Sequence, residues 1–294
     1  MAARCLLAVL WLVHWLPLSW QSLLGRGIGA IAWRLAGSRR RIALRNLELC
    51  LPEKSEAERT AIAREHFGWL GRSLIERGLL WYASPERLKR LIHVEGDVGL
   101  ADATKQPVMW LVPHFLALDV AGAAVQLNIA RPGASIYQAQ SDPVFDAAMR
   151  RGRLRFGNAK IFARDETARP LMRAIRDGAG FFNLPDMDFG ERDAAFVPFF
   201  GVPAATLLAP SRMARALNML VQPVIGEMLD GGQGFRVRFL PPLKDFPSGD
   251  AVADTLRINH WIEDEVRRNP AQYLWVHKRF KTRPAGEPGL YERR

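Results

Sequence analysis

Only two cysteines, Cys5 and Cys50, occur in the 294 residues. Their scarcity excludes a disulfide framework and leaves no Cys-x2-Cys pair to hold zinc. Neither lies near the histidine singled out below, so a thiol nucleophile is not expected. The phosphate-cradling P-loop and the Gly-x-Ser-x-Gly nucleophile elbow are both missing. Gly25-x-Gly27-x-Gly29 follows a helical pattern rather than a strand, which excludes a dinucleotide fingerprint. No internal repeat or low-complexity tract is present. Acidic residues are outnumbered, 30 against 41 basic, for a net charge of +11. Such a surface attracts anions. Nine tryptophans, many within apolar stretches, turn that attraction toward lipid rather than nucleic acid.

Apolar residues make up 49% of the chain, enough for a substantial core in one large domain or two small ones. Residues 5–20 are almost wholly apolar. They fall short of the roughly 20 residues a spanning helix needs, although extension through Leu23 and Leu24 reaches that length. A signal-peptide reading lacks a convincing small-x-small cleavage site. Arg26, Arg34, Arg39, Arg40, Arg41 and Arg45 follow the run and Arg4 alone precedes it, which places the body of the protein on the cytoplasmic side. The expectation for residues 1–36 is an inner-membrane anchor, either spanning the bilayer or lying in its interface.

Residues 39–51 read as a basic amphipathic helix stopped by Pro52. Ser55-x-x-Glu58 is a capping box that opens a helix running to about Tyr82. Pro85 opens a short helix ending near Ile92. From Gln106 strand patterns (108–112, 134–138, 160–162, 179–184, 221–228, 235–240) alternate with helix patterns (117–127, 143–151, 167–177, 203–217, 250–269). This alternation predicts an α/β fold: a three-layer αβα architecture around a largely parallel mixed sheet. Asp230-Gly231-Gly232-Gln233-Gly234 reads as a hairpin turn. The expected organisation is an anchor over 1–36 and a second unit over 37–294. That unit divides into a helical lead-in (37–105), an α/β core (106–281) and a loose tail (282–294).

The run Val108-Met109-Trp110-Leu111-Val112 stops at Pro113 and presents His114, with Asp119 five positions later. Five helical residues turn through about 500°, so the two share no helical face. They can work together only with His114 in the strand-to-helix loop and Asp119 about one turn into the helix. So placed, the carboxylate would orient the imidazole and stabilise it as a general base. The bland alternative is a histidine ending a strand and an aspartate on a solvated helix. Arg150-Arg151-Gly152-Arg153-Leu154-Arg155 is a dense basic cluster suited to phosphate, or to a helix C-terminus. Asp186 and Asp188 follow a strand, where open α/β sheets place ligands. They could bind a divalent metal, orient a catalytic group or only shape a turn. Residues 196–201 form an apolar, aromatic loop that could line an acyl channel or join the core. The remaining histidines have no paired spacing for metal.

Taken in order and spacing, these residues resemble the lipid A biosynthesis lauroyl/myristoyl acyltransferases of Gram-negative bacteria. The resemblance rests on the apolar N-terminus, Asn46-Leu47 before Pro52, and His114-Phe115-Leu116-Ala117-Leu118-Asp119. It continues through Tyr137, Asp142-Pro143, Gly152-Arg153, Pro185-Asp186-x-Asp188-x-Gly190, Pro198-Phe199-Phe200-Gly201 and the stretch from Tyr273 to Pro284. Met187, Gln138 and a longer loop before the arginine cluster depart from the family pattern. The resemblance implies His114 as general base with Asp119 as its partner, and functional roles for Arg153 and Asp186. Arg151, Arg155, Asp188 and Tyr137 are further candidates for substrate contact. It implies acyl transfer from an acyl-acyl carrier protein to the 3-hydroxyl of a hydroxyacyl chain on a lipid A precursor, at the cytoplasmic side of the inner membrane. No metal, organic cofactor or nucleic-acid partner is expected. A glycerolipid acyltransferase and a metal-dependent glycosyltransferase using Asp186-x-Asp188 remain the rival readings. A non-catalytic membrane- or nucleic-acid-binding protein would use only the positive charge.

Overall fold

A computed structural model of the chain describes residues 1–157, 159–164 and 169–291. Five helices come first: α1 (Ala2–Val13), α2 (Leu18–Leu35), α3 (Gly37–Cys50), α4 (Glu56–Tyr82) and α5 (Pro85–Leu91). β1 (Ile92–Gly96) and the short α6 (Leu100–Ala103) lead to β2 (Val108–Leu111), α7 (Leu118–Asn128), β3 (Gly133–Tyr137), α8 (Pro143–Arg153) and β4 (Lys160–Ala163). α9 (Arg169–Arg176), β5 (Gly180–Asn183), the pair β6 (Ala194–Phe199) and β7 (Val202–Leu207), and α10 (Ala209–Ala216) follow. The chain then runs through β8 (Leu220–Met228), β9 (Phe235–Phe239) and α11 (Ala251–Arg268).

Seven strands form one sheet in the order β1-β9-β8-β2-β5-β3-β4, parallel throughout except where β8 meets β9. That antiparallel pair is the expected hairpin over 230–234. β2 lies between β8 and β5, and all four of its residues are buried. Its unbroken apolar run is what a strand covered on both faces requires. Trp110 faces the layer containing α7 and Leu79–Trp81 of α4. Met109 and Leu111 face the layer containing α9, α10 and α11.

Local signals set the helix ends. Ser55 caps α4 with both halves of its capping box formed. Asp142 accepts from the Val144 and Phe145 amides at 2.9 and 3.0 Å, and Asp250 caps α11 in the same way.

Four expectations are corrected. First, among the described residues no helix is long and apolar enough to cross a membrane. The apolar N-terminus breaks at residues 14–17, ahead of Pro17, into the 12-residue α1 and an amphipathic α2 that packs on α4. Second, the sheet begins in the helical lead-in, at β1.

Third, residues 196–201 are not a loop lining a channel. β6 and β7 form a two-stranded hairpin turning at Phe200-Gly201, both with positive φ, and only 209–216 of the expected 203–217 helix is helical. Pro198 and Pro203 sit opposite each other there, which a ladder tolerates because each strand of a two-stranded sheet is an edge. Fourth, the expected loose tail is pinned as far as residue 291, its last described residue. The Thr282 amide donates to Asp188, Arg45 donates to the Leu290 carbonyl, and Tyr291 donates to Asn46. The helix expected over 167–177 starts partly outside the described residues.

His66, on α4, is fully buried, with Nδ1 on the Ala271 carbonyl at 3.0 Å. Burial favours its neutral form and lowers its pKa to about 4. The unfolded chain takes up this proton near pH 6.5, before the folded chain does. The stabilisation is therefore complete above pH 6.5 and lost as pH falls toward 4. On this basis urea unfolding should show stability falling by on the order of 3 kcal/mol across that window. His66→Leu should flatten this component. An unchanged pH dependence in that variant would disprove the assignment.

Candidate active site

The chain leaving β2 passes over one face of the sheet through α7 to β3. The chain leaving β5 reaches β8 on the other side of β2, with α10 on the opposite face. Such a switch opens a crevice beyond the carboxyl ends of the two strands. His114 follows β2 and Asp186 follows β5, so both arrive at that crevice.

The contact is tight and double. His114 Nδ1 lies 2.7 Å from Asp186 Oδ1, and the His114 backbone N–H donates to Oδ2 at 2.9 Å. A carboxylate at Nδ1 selects the tautomer protonated there and leaves Nε2 as the basic nitrogen. Burial would raise the Asp186 pKa. The charge and hydrogen bonds of His114, with the nearby Tyr273 hydroxyl, outweigh burial and hold it below the usual carboxylate range. Asp186 is 1% exposed, whereas the His114 side chain keeps 14% of its surface open to a substrate.

Asp119 occupies the first turn of α7 and His114 the strand-to-helix loop, as the spacing required. No hydrogen bond joins them, although the charge of His114 also lowers the Asp119 pKa. Asp119 Oδ1 takes Nε and Nη2 of Arg153, from α8, at 2.9 and 2.8 Å. Oδ2 lies 3.2 Å from Nη2 of Arg77, from α4. Burial would raise the Asp119 pKa, but the two guanidiniums outweigh it and the net shift is downward. Two full positive charges hold this carboxylate more strongly than an imidazole does. Asp186 meanwhile reaches His114 directly from the neighbouring strand.

The other candidates divide. Tyr137 is buried in the wall of a cleft, and its hydroxyl accepts from Arg150. Arg151 is exposed on α8. Arg155 is bound to the protein's own backbone. It donates to the Leu80 and Ala83 carbonyls at 3.1 and 2.6 Å, satisfying the end of α4. Gly152 makes its close approach to Trp81 rather than to a phosphate, since a Cβ there would meet the indole at 2.3 Å.

Asp188 accepts from the Thr282 amide at 2.7 Å, the Thr282 hydroxyl at 2.8 Å and the Gly190 amide at 3.0 Å, so it is a structural tie. Asp186 and Asp188 thus serve separate partners. Among the described residues no group of three His, Cys, Asp or Glu side chains converges as metal ligands would.

Sequence reasoning did not single out Arg77, Asn46 or Tyr273 for a role. The segment around Tyr273 brackets the loop that carries His114. The Leu116 amide donates to the Gln272 carbonyl at 2.9 Å, and the Leu274 amide to the His114 carbonyl at 3.0 Å. Asn46 holds that segment from behind, donating to the Trp275 and His277 carbonyls at 2.7 Å each. His277 is kept neutral near the site, its pKa lowered to about 4 by burial and then by the charge of His114.

A cleft of about 810 Å³, partly open to solvent, runs beside this centre. Its walls are Trp81, Trp110, Ile136, Phe156, Phe182 and Leu184, and Asp119 and Arg153 stand in its lining. Gln126, also in the lining, lies about 10 Å further along α7 than Asp119. His114 and Asp186 line a smaller separate hollow, and a long apolar slot with the cationic group of Arg153 in its lining suits transfer of a fatty acyl chain, so the chain is an acyltransferase.

Comparison with known proteins places it more closely. The family model for bacterial lipid A biosynthesis acyltransferases matches residues 3–282, and the chain belongs to that family. It is 34% identical over 288 residues to the lipid A biosynthesis lauroyltransferase of Escherichia coli (strain K12), covering 97% of this chain and 93% of that one. The palmitoleoyltransferase of the same strain is 33% identical, covering 97% and 92%. The myristoyltransferase is 33% identical over 270 residues, covering 91% and 83%. A 1-acyl-sn-glycerophosphate acyltransferase, PlsC, from Thermotoga maritima matches 84% of this chain and 94% of its own with a TM-score of 0.37 and 13% identity. Three relatives named for different acyl chains stand within one percentage point of identity, so identity does not select a chain length.

Proposed function

We propose that this lipid A acyltransferase moves a fatty acyl chain from acyl-acyl carrier protein to the 3-hydroxyl of a hydroxyacyl chain on a lipid A precursor. The observation that carries the mechanism is the His114–Asp186 pair, which leaves Nε2 free to act as base. His114 takes the hydroxyl proton as the oxygen attacks the thioester carbonyl. The new C–O bond forms, the tetrahedral oxyanion collapses, the C–S bond breaks, and the carrier thiolate receives the proton from His114. Arg153, held by Asp119, supplies positive charge where the oxyanion develops. The apolar cleft takes the acyl chain. No cofactor enters these steps.

The chain works at the cytoplasmic face of the inner membrane without crossing it by these helices. Trp20, Leu23, Ile31 and Leu35 form an exposed stripe along α2, and Trp11 and Trp15 are exposed beside it. Such a face, with basic residues around it, suits the interface of an anionic bilayer. The net charge of +11 also suits an acidic carrier protein and a phosphorylated glycolipid. The test is mass spectrometry of lipid A from cells with and without the gene. A difference of one fatty acyl group is expected, located by fragmentation on a hydroxyacyl chain. Identical lipid A in both strains would refute the proposal.

Gly122 lines the cleft on α7, and a Cβ there meets nothing nearer than Phe182 Cζ at 4.0 Å. Gly122→Ala should fold well, while the side chain of Gly122→Leu would enter the slot. Competition among acyl donors should show Gly122→Leu shifted toward shorter chains. An unchanged donor preference in the folded variant would remove the cleft from the acyl path.

A further inference from the structure

The second arginine on Asp119 has no part in the mechanism above, yet its placement is costly. Arg77 projects from the C-terminal part of α4, five residues before its end, with its side chain three-quarters buried. Its Nε is buried without a hydrogen-bond partner. A buried N–H left unpaired destabilises a fold. Glu76, adjacent in sequence, is taken by Arg72, whose Nε donates to it at 2.6 Å. Among the described residues Asp119 is the carboxylate within ion-pair reach of Arg77. The guanidinium is steadied on another side by Trp81, whose ring centroid is 5.8 Å from Cζ and which also walls the cleft.

An arginine alone on a carboxylate favours a symmetric fork, with two nitrogens on two oxygens. Arg77 occupies Oδ2, so Arg153 is confined to Oδ1, through Nε and Nη2. The Nη1 edge of Arg153 is thereby turned away from Asp119. Two cations on one carboxylate also leave a net positive charge at the cleft.

We propose that Arg77 is a positioning residue for acyl transfer: by holding Oδ2 of Asp119 it sets the angle at which Arg153 meets the reacting carbonyl. This rests on the reading of Arg153 as the group that meets the oxyanion. Without Arg77 the Asp119–Arg153 pair becomes neutral and free to relax into the symmetric fork. Arg153 then swings off the reacting carbonyl.

The test uses the full chain with an acyl-acyl carrier protein and a lipid A precursor in detergent. Arg77→Met keeps the apolar stem against Trp81 and removes the charge. Its kcat should fall about 10²-fold, the size of loss that a misplaced group can cause, with both KM values little changed. In an Arg153→Ala background the same substitution should cause little further loss, because the group it positions has gone. A folded Arg77→Met variant with normal kcat overturns the proposal. So does an equal loss in both backgrounds, which marks a structural role. Should Arg77→Met fail to fold, Arg77→Lys takes its place, with partial activity and the same coupling to Arg153 expected, and additive losses overturning the proposal. Failure of the reading on which it rests is recognised separately, by a normal kcat in Arg153→Ala.

Discussion

Asp186→Ala is expected to lower kcat as deeply as His114→Ala does, by roughly 10² to 10⁴-fold. Asp186 is the group bonded to Nδ1 and to the backbone amide of His114, so its removal frees the ring to rotate and to change tautomer. The loss should not be restored by divalent metal, since the carboxylate acts through a hydrogen bond. Single-turnover rates on folded protein, checked by thermal unfolding, provide the measurement. A near-normal rate in Asp186→Ala together with a dead Asp119→Ala would return the role of partner to Asp119.

The second large effect separates activity from stability at the arginine pair. Arg153→Ala should lose about 10² to 10³-fold in kcat, the scale of one oxyanion donor. It leaves Asp119 paired with Arg77, so stability should change little. Asp119→Ala should be comparably slow but also less stable, by about 3 kcal/mol, because it leaves two arginines facing each other without their shared carboxylate. Chemical denaturation of both variants, beside their kcat values, tests this. Equal stability losses would mean that the two ion pairs are not shared as the geometry places them.

Much of the fold was legible because its signals are local. The Ser55–Glu58 box acts within four residues and forms as read, and helices start close to Pro143 and Asp250 as the apolar patterns predict. The β6–β7 hairpin was not legible. Pro198 and Pro203 argue against strands, and a Phe200-Gly201 turn lacks the usual Asn-Gly or Asp-Gly signature. Its Phe200 amide donates to Glu263 of α11 at 2.7 Å, 63 residues away, a contact with no local trace. The N-terminal run misled in the same way. Composition measured its length, but the break at residues 14–17 and the packing of α2 on α4 decided that it lies along the protein.

The sequence by itself determined that an apolar strand ends at Pro113, that His114 stands in the loop beyond it and that Asp119 opens the next helix. Each follows from hydrophobic patterning and backbone preference over a dozen residues. Only the tertiary structure decided which carboxylate contacts the histidine. β2 and β5 are neighbours in the sheet although His114 and Asp186 are 72 residues apart. That adjacency brings Asp186 to the imidazole, while Arg77 and Arg153, from two separate helices, draw Asp119 away by charge.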